Sequence, residues 1–147
     1  MPKVEKILFP IDFAAKFENF LPWVSTFVEK FGATLYVAFV AQDLSEFSSF
    51  YVPHATIQGF QEEALAAAQK KMAAVAQESF KKFPKLETRV AVGSPAAKIL
   101  EIAKKEQIDL IIMGTHGRKG LERTIFGSVA DKIVQAAPCP VITIRPE

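Results

Sequence analysis

The stretch "IDLIIMGTHGRKGLERTIFGSVADKIVQAA", residues 108–137, decides the fold. Its first six residues, Ile108 to Met113, are nearly all apolar, as expected of a central strand covered on both faces. Its last ten, from Ser128, read as a helix. Between them lie four of the chain's seven glycines (Gly114, Gly117, Gly120 and Gly127), beside Arg118, Lys119 and Arg123. In open α/β sheets, ligands sit outside the carboxyl ends of the strands where strand order reverses. Glycine at such an edge permits positive φ and lets the backbone approach a ligand with no side chain between. Gly127-Ser128 opens the helix, whose first N–H groups lack internal partners and carry partial positive charge. With the Ser128 hydroxyl, and with Arg118 and Lys119 nearby, this stretch predicts a phosphate cradle.

Outward from it the pattern alternates. "KILFPI" (Lys6 to Ile11), "TLYVAFV" (Thr34 to Val40), "ETRVAV" (Glu87 to Val92) and "PVITIR" (Pro140 to Arg145) read as strands. Apolar residues at helical spacing run from Phe13 to Phe31, ending at Gly32, whose positive φ suits a helix end. Pro22 inside this run predicts a kink, or a late helix start near Leu21. A long alanine-rich helix is expected over Thr56 to Phe83. "GSPAAKIL" starts another, with Ser94 as cap and Pro95 at the first helical position. Ala41 to Pro53 has no clean period and reads as a long loop, with His54 in the same irregular region. The order β-α-β-α-β-α-β-α-β predicts one domain, 1–147, built on a parallel sheet with helices on both faces.

Composition narrows the function. The chain has 147 residues, half of them hydrophobic, and 18 basic residues against 16 acidic, a net charge of +2. That near balance argues against a nucleic-acid-binding domain. A single cysteine, Cys139, forms no internal disulfide, which fits a reducing compartment. The start "MPKVEKILFPIDF" has no long apolar run of the signal-peptide kind, and no run approaches the ~20 residues of a membrane span. The expectation is a cytoplasmic protein without membrane contact.

Neither G-x-x-x-x-G-K-[ST] nor G-x-G-x-x-G occurs. The glycines stand instead as G-x2-G-x9-G-[ST], from Gly114 to Ser128. With "ILFPIDF", "GSP", "DLIIMGTHG", "FGSVADKIV" and "PCPVITIR" in order along almost the whole chain, the sequence resembles the ATP-binding branch of the universal stress protein family. The resemblance implies a five-stranded parallel sheet of order 3-2-1-4-5, a homodimer, and ATP as ligand, with or without magnesium. It implies that Asp12, beside Pro10 and Ile11, contacts the ribose or adenine, and that the main chain of Val40 meets the adenine edge. Met113 and Gly114 would flank the sugar, while Gly117, Gly127, Ser128 and Val129 hold the phosphates. Ile11, where relatives often carry Thr or Val, and the phenylalanine-rich first helix depart from the family pattern.

Each sharp reading has a plain rival. Asp12 would also serve as a helix cap, and Arg118 and Lys119 as a solvated turn. His116 fits loop-backbone bonding better than general-base work. Cys139, between two prolines, reads as a small buried hydrophobe with no neighbour to activate it. The expected function is an ATP-binding regulatory protein of the stress class. The alternatives are a slow ATPase or phosphotransferase using the same pocket, for which Glu122 is the one acid in the glycine stretch, and a nucleotide-free dimerisation module. The last strand, Val141, Ile142, Thr143 and Ile144, is expected at a sheet edge with no charge or proline of its own to protect it, and so to pair with its copy.

Overall fold

A computed structural model describes residues 2–13, 16–42, 54–115 and 127–145. The elements run β1 (Lys6–Pro10), a 3-10 turn (Phe17–Phe20), α1 (Leu21–Phe31), β2 (Thr34–Ala41), α2 (His54–Ser79), β3 (Leu86–Val92), α3 (Pro95–Lys105), β4 (Leu110–Gly114), α4 (Ser128–Ala136) and β5 (Val141–Ile144). The five strands form one sheet of order β3-β2-β1-β4-β5, parallel throughout, as expected.

Alternation along each strand sorts the core into two layers. Ile7, Phe9, Leu35, Val37, Leu110 and Ile112 face α1 and α2. Leu8, Tyr36, Ala38, Val40, Ile111 and Met113 face α3 and α4. Because side chains alternate with period two, a strand buried on both faces must be apolar at nearly every position. The central strands β1, β2 and β4 meet that demand.

Local chemistry explains the boundaries. Pro22 stands in the first turn of α1, where its missing N–H costs nothing, so the helix starts at Leu21 without a kink. Gly32 ends it at φ 61°. The α2 helix begins at His54, so His54 belongs to the helix and not to the preceding loop. It stops at Ser79, four residues short of the expected end. Phe80 and Phe83 keep the apolar spacing and are buried, but they lie in a turn. Pro84 disfavours the helical conformation at Phe83 and so explains part of this early stop. Ser94 precedes α3 and Pro95 opens it, yet the Ser94 side chain makes no capping bond. Residues 43–53, most of the expected loop, lie outside the described residues.

Candidate functional site

Strand order reverses between β1 and β4: from β1 the chain proceeds to β2 on one side, and from β4 to β5 on the other. There the carboxyl ends of β1, β2 and β4 open on a cavity of about 370 Å³. Pro10, Ile11 and Asp12, Val40, and Met113 and Gly114 form its floor. The Ile11 N–H donates to the Ala38 carbonyl at 2.8 Å, which carries the chain past the end of β1 and sets Asp12 at the rim. One wall rises from the α1 face of the sheet and carries Phe17 and Phe20. The opposite wall carries Pro95 and Ile99 of α3 and the start of α4, Gly127 to Ala130.

The glycine stretch is closed at its base. The Thr115 N–H donates to Ile144 at 3.0 Å, and the Gly127 N–H donates back to the Thr115 carbonyl at 2.6 Å. Thr115 and Gly127, the described residues on either side of 116–126, are therefore bonded directly to each other. This corrects two expectations. Gly127 has φ −65°, and Gly114 is not among the positive-φ residues, so neither glycine serves for left-handed backbone. Their small size matters instead: a Cβ at Gly114 would lie 2.8 Å from the Phe20 ring, and one at Gly127 would lie 3.2 Å from the Thr115 carbonyl oxygen. The Gly127 N–H is also committed to Thr115, and so is not open to a ligand. The helix bonds begin with Asp131 N–H to Gly127 carbonyl at 2.9 Å. Among the described residues, the N–H groups of Ser128, Val129 and Ala130 have no acceptor in a preceding turn.

All the site residues expected from sequence line this crevice except Gly117, which lies outside the described residues with His116, Arg118, Lys119, Gly120, Glu122 and Arg123. Among the lining residues that sequence reasoning missed are Phe17, Phe20, Phe39, Gln42, Pro95, Ile99, Thr115 and Ala130. The phenylalanines carry the same apolar spacing as core residues, and nothing in that spacing marks a crevice wall. Cys139 is half-buried, and burial, with Asp109 adding to it, pushes its thiol up, away from nucleophilic use. Among the described residues no three His, Cys, Asp or Glu side chains gather as metal ligands. None of the described helices is long and apolar enough to cross a membrane.

An acidic residue at the rim, a reversal point between parallel strands and a helix start facing the cavity agree with a family model that matches residues 3–145, that of the universal stress proteins. The chain belongs to the universal stress protein family. It is 46% identical over 61 residues to a universal stress protein of Methanocaldococcus jannaschii, an alignment spanning 42% of this chain and 36% of that one. It therefore covers well under two thirds of that relative. The solved universal stress protein of Lactobacillus plantarum has TM-score 0.77 and 27% identity, covering 99% of this chain and 100% of the other. A universal stress protein of Archaeoglobus fulgidus, solved in complex with dAMP, has TM-score 0.66 and 20% identity, over 95% and 97% of the two chains.

Proposed function

We propose that this universal stress protein binds an adenine nucleotide in the crevice and acts as a nucleotide-responsive regulatory protein. The observation that carries this reading is the pairing of opposite polarities across the reversal point. Asp12 stands on one side, suited to sugar or base hydrogen bonds, and the α4 N-terminus on the other, suited to phosphate. Val40 at the end of β2 offers main chain to the base, and Met113 and Gly114 flank the sugar. Ser128, Val129 and Ala130 meet the phosphate nearest the sugar, with Gly127 shaping the turn. ATP is the ligand we assign, with or without magnesium, its outer phosphates falling to the stretch that contains Gly117. The A. fulgidus relative, solved with dAMP, supports the nucleotide class. Mass spectrometry of small molecules released from the purified protein tests this. A co-purifying adenine nucleotide is expected, and a tightly held ligand of another class would contradict it.

We also propose a homodimer through β5. Among the described residues this strand pairs with β4 alone, and all four of its residues are half-buried. The other edge, β3, carries Glu87 and Arg89, charges of the kind that protect an open edge. Pairing of Val141 to Ile144 with their copies across a two-fold axis would satisfy the free backbone groups. Val141→Lys with Thr143→Pro should give monomer or aggregate in sedimentation. A double variant that stays a stable dimer would place the contact elsewhere.

A further inference from the structure

The nucleotide reading leaves the aromatic wall without a role. Phe20 ends the 3-10 turn, is only 8% exposed, and belongs to the core layer on the α1 face. A Cβ built on Gly114 would lie 2.8 Å from the ring Cζ and 3.0 Å from Cε2. The ring therefore fills the space that a side chain at position 114 would take. Gly114 needs no special backbone angle, so this contact is what demands glycine there.

Strand order locates the ring relative to a bound ligand. Val40, next to last in β2, and Gly114, last in β4, lie on strands that flank β1, and neighbouring strands lie ~4.8 Å apart, so they stand roughly 10 Å from each other. A nucleotide with its base at Val40 and its phosphate at the start of α4 has its sugar over β1 and β4, between Asp12 and Gly114. The phosphate hangs on the 5′ carbon. With that edge turned to the α4 wall, the 2′ and 3′ hydroxyls turn to Asp12 on the floor and to the opposite wall, which carries Phe20.

Resting on the nucleotide reading, we propose that Phe20 is a specificity-determining residue that admits a bare hydroxyl edge and closes the crevice to substituents on the 2′ or 3′ oxygen. A ring held in a packed core does not move aside for an added methyl group. Against such a wall, one extra carbon changes affinity by roughly tenfold or more.

Calorimetric titration of AMP, 2′-O-methyl-AMP and 3′-O-methyl-AMP tests this on the wild-type protein, Phe20→Leu and Phe20→Ala. The wild type should bind AMP at least about tenfold more tightly than one of the two ethers. Phe20→Ala should shrink that ratio by about tenfold, and Phe20→Leu by an intermediate factor. Should Phe20→Ala fail to fold, the folded Phe20→Leu variant decides alone. Equal wild-type affinity for AMP and both ethers overturns the proposal, and so does a ratio that stays at its wild-type value in a folded variant. If the wild type binds neither AMP, ADP nor ATP, the nucleotide reading itself falls, a result distinct from the other two.

Discussion

The two walls of the crevice are made of different material. On the α1 side, Phe17 and Phe20 are core residues that also border the cavity; Phe17 stacks on Phe80 at 5.6 Å between ring centroids, and Phe80 packs on Phe9 at 6.4 Å. On the α4 side, Ser128 is exposed and Val129 half-buried, and what they offer is helix N–H groups and a hydroxyl. The first wall is shaped by packing, so a change there is felt by the core as well as by anything bound in the cavity. The second is a helix end whose first N–H groups lie outside the helix's own bonding pattern. On the α4 side, contacts open to a ligand thus cost the core little, while on the α1 side the role proposed for Phe20 and the stability of the core rest on the same rings.

Substitutions that break this comparison rank by size. Phe17→Ala removes a buried ring from the α1-side core and should lower unfolding free energy by about 3–5 kcal/mol in chemical denaturation. A loss below about 1 kcal/mol would mean that the aromatic wall is not part of the core. Gly127→Ala should change stability by no more than about 1 kcal/mol, because φ −65° suits any residue. Among the described residues the new Cβ would meet the Thr115 carbonyl oxygen, at 3.2 Å, a contact that a small shift relieves. A several-fold larger loss would restore the special-backbone reading of that glycine.

The smallest effect is expected outside both walls. Arg89 Nε donates to Glu106 Oε2 at 3.0 Å, and the Arg89 guanidinium holds the Glu106 carboxyl below its ordinary value of 4.5. A depressed carboxyl contributes stability above pH 4.5 that is lost as the pH falls through the lower, folded-state value. Both groups are partly exposed, so the contribution should stay within about 1 kcal/mol. Arg89→Gln should remove this part of the acid sensitivity below pH 4.5 while leaving nucleotide affinity at pH 7 unchanged. A variant that loses nucleotide affinity would tie β3 to the crevice and blur the comparison.

Much of this was legible from residue pattern. The apolar run ending at Met113 marked a doubly covered strand, Gly32 marked the end of α1, and of the two readings Pro22 allowed, a kink or a late start near Leu21, the structure has the start at Leu21. Asp12 and Gly114 could be placed at one crevice because each follows or ends a strand at the reversal point, while Val40 was implied by the family resemblance alone. Other features depend on neighbours distant in sequence. Phe20 and Gly114 are ninety-four positions apart, and only the folded chain shows why one excludes a side chain at the other. Gly127 stood out as a glycine beside a helix start, but its N–H bond to Thr115 depends on how the loop closes. Phe80 and Phe83 extend the apolar spacing of α2 although the backbone has already turned, so periodicity alone overran the helix end.

The most direct test of nucleotide binding at the helix wall is calorimetric titration of ATP into the wild-type protein and Ser128→Ala. Ser128 is exposed, so the substitution should leave folding stability within about 0.5 kcal/mol. If its hydroxyl donates to a charged phosphate oxygen, ATP affinity should fall by ~1.5–3 kcal/mol. Equal ATP affinity in the two folded proteins would contradict the assignment of phosphate to the start of α4.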